Sequence, residues 1–547
     1  MATKFKAQSL SVLNWMTSKA DGKSLAIVVF FSTVVAALVA HLFCWTNTLF
    51  GHDSLLIVQT DWFNQIAAGR PFQHLYLYLR GYIVAPWLIG VLGTVFLALS
   101  NIIICKILAI RSKGFIVAFC CIIATCPVIT LINATYIHDY DVYMLSLLFS
   151  CISVYLCKTY KHGWIVGTLF LCLSMGLYPA YLQVVLVLIA GSFFTELLRN
   201  DNEFRIASCV KSILMIIVGA LLYLVAVKCV QYFTDISALT GYNSSVSAFQ
   251  FDDSLFHVLK ESWLAPFSYL LFPETHMVRA SGACNLLLMI VLVIVTAKTC
   301  RRNRLKKRRV ALVTLLIVLM PLFANVIGFA SGNNIHSLTI LSYYLFYAIL
   351  FACHDISSLA FVKCDKASPS GMHTRTTSGV GLAVGLLTLL LVLLMALSNA
   401  IYANQVYLKK ALEYQATLSI MTGLEERLES IPGYIPGKTP VAFAGSLSNN
   451  PYFLDVRKGF PPSSDQATFS DQNGHYTKYS VGLGADISIY GFTQMNRYYE
   501  YILGRPIIMA SVEGLSDSKK APLESMPVYP VDGSIVFNEG VVLVKLS

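Results

Sequence analysis

The feature that most constrains this chain is a recurring run of about twenty apolar residues, the length of helix needed to cross a hydrocarbon core about 30 Å thick. Leu25–Cys44 and Gly379–Ile401 are the plainest examples. In lipid only a helix or a closed barrel satisfies its own backbone polar groups, and no barrel-like alternation is present. Composition agrees. The chain is 56% hydrophobic and 13% charged, about half the charge of a soluble domain. Further runs fall near 83–104, 114–132, 142–157, 163–178, 181–198, 210–230, 282–299, 310–329 and 337–354, giving about eleven crossings. The expected fold class is an all-α polytopic membrane protein.

Lys4, Lys6, Lys19 and Lys23 precede the first run, which is too long for a secretory signal core and has no small-x-small cleavage site after it. A retained anchor is expected. All 14 cysteines lie between Cys44 and Cys364 without metal-ligand spacing, as suits small buried apolar residues.

Charge predicts orientation. With the N-terminus cytoplasmic, the inside loops hold Lys106/Arg111/Lys113, Lys158/Lys161, Arg199/Arg205, Lys363/Lys366/Arg375 and the basic cluster of 301–309. The short outside loops around Asp139, Pro179 and Asn333 hold no Lys or Arg. The 301–309 cluster, set between two spans, suits orientation and anionic membrane lipid rather than nucleic acid. Much of the net charge of +11 is thus a topology signal.

Four segments then face outward. Trp45–Tyr82 interleaves Leu56, Trp62, Phe63 and Ile66 with Asp53, Asp61 and Arg70, a pattern that suits a helix lying in the interface. Asn133–Asp141 places His138, Asp139 and Asp141 at the start of a span, and Gln231–Gly282 includes His276 and Arg279. The fourth is the tail, which is near neutral, with 12 basic and 14 acidic residues from Tyr402 onward. A helix is predicted over Tyr407–Leu428, a strand at Pro440–Gly445, a helix at Gln494–Leu503 and a hairpin in Ser534–Ser547 turning at Asn538-Glu539-Gly540. The expected division is a membrane domain over 1–403 and a small extracytoplasmic α/β domain over 404–547, without catalytic spacing and suited to an accessory or acceptor-binding role.

Several short motifs carry a resemblance. They are Asp53 in HDS with Gly69-Arg70 after it, HDYDVYML at 138–145, GLYPAYLQ at 176–183, and the tail's start, NQVYLKKALEYQ followed by TPVAFAGS. Together with the architecture they resemble the serotype-converting O-antigen glucosyltransferases of phages and their bacterial relatives, membrane enzymes of the GT-C type. Pro179 departs from that family, which usually carries Gln there. The resemblance implies a polyprenyl-phosphate glucose or similar hexose donor and a lipid-linked polysaccharide acceptor at the outer face of the bacterial cytoplasmic (inner) membrane. It also implies coupling to a sugar-lipid synthase and flippase, and no cofactor.

Such a transfer needs a base for the acceptor hydroxyl, groups that hold the leaving phosphate, and a groove for the lipid. A partly desolvated carboxylate at the membrane surface can act as the base. Asp53 is the first choice, although it equally suits an N-cap for a helix over 54–65. Asp139 and Asp141 follow, with an acidic first helical turn as their alternative. Arg70, His138, His276 and Arg279 could hold the phosphate, and arginine's fork suits it best; Arg279 equally suits snorkelling. Tyr178, Tyr181 and Trp62 could stack on a sugar or the first isoprene units, or form an aromatic belt. No metal is expected, because a donor with one phosphate needs no ion to bridge a diphosphate.

The rival functions are a transporter or flippase of lipid-linked sugars, a polysaccharide polymerase or ligase, and a membrane scaffold. A transporter would place acidic residues within spans and break helices near the midplane. Here His41 and Lys228 are the main polar exceptions, and Pro179 sits at a span end.

Overall fold

A computed structural model describes residues 11, 14–47, 62–199, 206–238, 254–272, 280–332, 337–364, 379–445, 450–452 and 498–547. The apolar runs fold as helices, which close their own backbone hydrogen bonds. In chain order they are α1 (Gly22–Thr46), α2 (Trp62–Ala67), α3 (Pro71–Leu79), α4 (Pro86–Leu108), α5 (Lys113–Ala124), α6 (Pro127–Thr135), α7 (Tyr140–Thr159) and α8 (Gly163–Leu177). There follow α9 (Leu182–Arg199), α10 (Ile206–Thr234), α11 (Leu255–Leu271), α12 (Ala280–Arg302), α13 (Lys307–Ala324), α14 (Leu345–Cys364) and α15 (Gly379–Glu429).

Among the described residues nine stretches are long and apolar enough to cross a membrane. Sequence led to about eleven, and the difference lies in α8, with 15 residues, and α13, which opens on Lys307-Arg308-Arg309. Both are helices where runs were expected. The chain is a multi-pass helical membrane protein.

Burial separates its layers. Lys113–Thr135 is 83% buried and runs through the centre, whereas α10 is only 17% buried over its apolar window. Ile213, Ile217, Leu221 and Val225 on α10 point outward, as lipid-facing residues do. The central span is broken at Pro127, whose missing N–H cannot continue the helical ladder. The freed Ala124 carbonyl is met by His41 Nε2 at 2.8 Å, and His41 Nδ1 lies 2.7 Å from the Tyr407 hydroxyl. Because a carbonyl only accepts, Nε2 carries the proton and Tyr407 donates to Nδ1. A polar exception within a span thus seals a helix break, which sequence reading had sought only at Pro179.

The two ends of the bundle differ. At one end Ala20 N–H donates to the Arg111 carbonyl, Arg199 to the Leu108 carbonyl, Asn303 to the Leu198 carbonyl and Arg302 to the Ser357 carbonyl. There Asp355 accepts from the Arg111 and Ser112 amides at 2.6 and 3.0 Å, at the N-terminus of α5. The basic loops therefore gather at this end. The opposite end holds residues 133–141, 178–181 and α3.

The segment 231–282, read as an outward loop, contains α11. Lys260, Glu261 and Pro266 interrupt its apolar run, so hydropathy passes over it. The helix packs on α12 and α13: Trp263 Nε1 donates to the Val318 carbonyl, Asn325 to the Ser262 carbonyl and Asn285 to the Leu270 carbonyl.

At 51 residues α15 is the longest helix among those described, and it contains the boundary placed at 403/404. Its Ala403, Val406 and Tyr407 belong to the bundle core, whereas Met421, Leu424 and Leu428 belong to the core of the tail. The tail carries β1 (Pro440–Ala444), β2 (Ile508–Met509), β3 (Ile535–Asn538) and β4 (Val541–Lys545) in the order β2-β1-β4-β3. β1 runs parallel to β2 and β4, while β3 and β4 form the predicted hairpin. Glu539 and Gly540, both at positive φ, make its two-residue turn. Of the helix expected at 494–503, Tyr498–Leu503 is helical and the preceding residues lie outside those described.

Candidate functional site

The end of the bundle opposite the basic loops carries the candidate chemistry. Tyr136 leaves α6, and Ile137–Asp139 makes a single 3₁₀ turn into α7. Two aromatic contacts fix this entry. Trp45 donates from Nε1 to Asn133 Oδ1 at 2.7 Å, and its ring stacks on Tyr140 at 6.3 Å. Both rings lie against glycines of α4: a Cβ at Gly90 would strike Trp45, and one at Gly93 would strike Tyr140.

Asp139 and Asp141 project towards α3, but to different partners. Asp141, fully buried, accepts from Arg80 Nη1 at 2.6 Å, from the Tyr76 hydroxyl at 2.8 Å and from the Val142 amide at 2.9 Å. Arg80 also donates to the His138 carbonyl at 2.9 Å. Asp141 is thus enclosed by partners, with the buried Arg80 guanidinium at hydrogen-bond distance.

Asp139 stands at the N-cap position of α7 without capping it through its side chain. Its Oδ1 accepts from Gln73 Nε2 at 2.7 Å. Its Oδ2 lies 3.8 Å from both Arg70 Nη1 and His138 Nε2. Both distances exceed a hydrogen bond, so this oxygen keeps acceptor capacity towards a further group.

Arg70 is held over aromatic faces, 5.1 Å from the Tyr178 ring centre and 5.9 Å from that of Tyr143. Nη1 also donates to Gln65 Oε1 at 3.2 Å. Its backbone position is set by Gly69, which needs its φ of +76° for the turn and whose carbonyl accepts from the Tyr223 hydroxyl at 2.9 Å. Burial opposes the Arg70 charge, but Tyr143, Tyr178 and Asp139 outweigh it and hold its pKa above the ordinary value. Arg70 is a permanent cation at the start of α3.

Tyr143, Tyr178 and Tyr181 form an aromatic cluster beside it, with ring centres 4.4 Å (Tyr143–Tyr178) and 5.1 Å (Tyr178–Tyr181) apart. Tyr181 is fully buried, and its hydroxyl has no hydrogen-bond partner among the described residues. At Gly176, just before Leu177 and Tyr178, a Cβ would collide with Phe72, so α3 rests directly on the α8 backbone.

Of the residues singled out from sequence, Arg70, His138, Asp139, Asp141, Tyr178 and Tyr181 meet at this one end. Asp53, His276 and Arg279 lie outside the described residues, as does the side chain of Trp62, whose backbone opens α2. Sequence reading missed Gln73, Tyr76 and Arg80. A signal was present: the three recur at helical spacing in PFQHLYLYLR and share the face that meets Asp139 and Asp141. Among the described residues no group of three or more His, Cys, Asp or Glu side chains is placed to hold a metal ion.

The arrangement joins a carboxylate with a free acceptor edge, a cation held for an anion, and aromatic faces suited to an apolar or sugar surface. No curated protein and no solved structure matches the chain. A family model does: that of glucosyl transferase GtrII matches residues 42–354, more than half of the chain, and includes every element of this site. The motifs at 69–70, 138–145 and 176–183 had pointed to the same family, the serotype-converting O-antigen glucosyltransferases. The protein is a membrane glycosyltransferase, and it belongs to the glucosyl transferase GtrII family.

Proposed function

We propose that this protein moves a hexose, glucose by preference, from a polyprenyl-phosphate carrier to a hydroxyl of a lipid-linked polysaccharide such as O-antigen. The reaction is of the GT-C type and takes place at the outer face of the bacterial inner membrane. The observation that carries this reading is the placing of Arg70 beside Asp139 and the Tyr143/Tyr178/Tyr181 cluster, at the end of the bundle away from the basic loops. By the positive-inside rule that end is outside, where a nucleotide sugar is not available and a lipid-carried donor is.

In the transfer the acceptor oxygen forms a bond to the anomeric carbon while the bond from that carbon to the phosphate oxygen breaks. The acceptor's proton passes to a carboxylate, and the electron pair leaves with polyprenyl phosphate. Arg70 receives the phosphate, since an ionised phosphate oxygen is a stronger partner than a carboxylate 3.8 Å away. The N-terminus of α3, directly after Arg70, adds its positive dipole end. Asp53, by family resemblance, and Asp139, by its free Oδ2, are the bases to test; Asp141 serves structure. His138, His276 and Arg279 are further phosphate or sugar contacts, and Trp62, Tyr178 and Tyr181 are stacking surfaces. The domain over 404–547, periplasmic in this topology, serves the acceptor. A synthase and a flippase must supply the donor on this face.

The broken span at Pro127 favours a second reading, a transporter of the same lipid-linked sugars. It is the weaker one, because the carbonyl a transported ion would need at the break is already bonded to His41. Membranes containing the protein, given labelled polyprenyl-phosphate glucose and lipid-linked acceptor, should transfer label. Asp53→Asn and Asp139→Asn should identify the base by abolishing transfer while the donor still binds. No transfer with any hexose would overturn the assignment.

A further inference from the structure

Gln73 has no role in the reaction described so far. It is fully buried on α3, between Arg70 one turn before it and Tyr76 one turn after. Its side-chain amide has two ends. Nε2 donates to Asp139 Oδ1 at 2.7 Å, which fixes the orientation, since the flipped amide would set a carbonyl oxygen against a carboxylate. Oε1 is then committed to the other side, where it is buried and has no hydrogen-bond partner among the described residues. A buried carbonyl oxygen without a donor is costly, and such atoms in a native fold call for an occupant.

Chemistry restricts that occupant. Oε1 only accepts, so it cannot bind an ionised phosphate or a second carboxylate; it needs an O–H or N–H. Within a site that handles a phosphate-linked hexose, the abundant donors are the sugar hydroxyls. We infer that Gln73 divides the site: Arg70 takes the phosphate of the donor, and Gln73 Oε1 accepts a hydrogen bond from one hydroxyl of the hexose while Nε2 holds Asp139. The inference rests on the hexosyl-transfer reading and adds a hydroxyl-reading residue to it. One amide would couple recognition of the correct hydroxyl to the orientation of the neighbouring carboxylate.

The test is a cycle between residue and substrate. Purified full-length wild-type protein and Gln73→Met are compared for binding of polyprenyl-phosphate glucose and its mono-deoxy analogues. Binding can be read even where turnover is lost. Wild type should bind one deoxy analogue roughly 10- to 100-fold more weakly than the parent. Gln73→Met should bind that analogue and the parent alike. Should Gln73→Met not fold, Gln73→Asn, whose amide is one methylene shorter, should lose the same discrimination. A purely structural Gln73 would leave the deoxy pattern unchanged in every variant, and that result, or a wild type indifferent to every hydroxyl, would overturn the inference. A wild type that neither binds nor transfers any polyprenyl-phosphate hexose would instead overturn the proposed function.

Discussion

Arg70 and Arg80 bracket the same short helix, α3, yet meet opposite demands. Arg80 sits at the C-terminal end, where a cation complements the macrodipole, and donates to the His138 carbonyl and to Asp141, which also accepts from Tyr76. Arg70 sits at the N-terminal end, against the dipole, with an anion only at 3.8 Å. The first arrangement suits structure and the second suits an incoming anion. Asp141→Asn should therefore lower stability by about 3–5 kcal/mol, the cost of leaving a buried guanidinium unmatched, and thermal melts in detergent would measure it. Arg70→Lys should fold normally and lower kcat/KM by roughly 10- to 100-fold, because a point charge replaces a fork seated on Tyr178. In the tail, burial raises the Glu425 pKa, Arg505 3.6 Å away lowers it in part, and Glu429 raises it again. A carboxyl raised on folding adds stability below its unfolded pKa and loses it as pH rises through the folded value. Glu425→Gln should thus melt no lower than wild type at pH 7 and lack wild type's gain towards pH 4–5. Arg70, His138, Asp139 and Asp141 could be read from sequence because charge is rare in such a chain, whereas Arg80 passed as the end of an interfacial segment. Gln73 could not, because a neutral amide in an apolar run draws attention only once α3 and its facing turn are known.

At the scale of elements, the spans were legible and the joints between them were not. Hydropathy finds a helix because lipid leaves the backbone no alternative. It does not report that Pro127 divides the central span, or that His41 on α1 satisfies the resulting carbonyl, since that pairing joins distant parts of the chain. The same holds for α11, whose Lys260, Glu261 and Pro266 dilute a helix that nevertheless packs. Strands in the tail were readable where a turn signal marked them, as at Glu539-Gly540, and missed where two residues form an edge, as in β2. The seat of α3 on α8 gives a prediction of its own. Gly176→Ala inserts a methyl into Phe72 and should displace α3, together with Arg70, Gln73 and Arg80. The expected cost is about 1–3 kcal/mol of stability. The loss of transfer activity should exceed what the stability change alone explains, which parallel melting and transfer assays would reveal.

For the whole molecule, lysine and arginine counting predicted two chemically different faces, and the folded bundle has them. Helix ends near Leu108, Leu198, Arg302 and Ser357 are cross-linked through the basic loops, while Asn133, Asp139 and Tyr178 lie at the other end. Orientation follows as a prediction. A reporter that works only outside the cell should be active when fused after Ser547 and silent when inserted at Arg304, and the reverse pattern would invert the assigned topology.

One dimension of this architecture has a mechanical consequence. α15 is continuous from the bundle core at Tyr407 to the tail core at Leu428, a rise of roughly 30 Å at about 1.5 Å per residue. The stretch contains no proline, and Gly423 is its one glycine. A rod of that kind resists bending, so the sheet behaves as a fixed outrigger rather than a flap. Under the proposed function, polymer held by the sheet would be kept at a set distance from the membrane anchor, with α15 as a ruler along the acceptor chain.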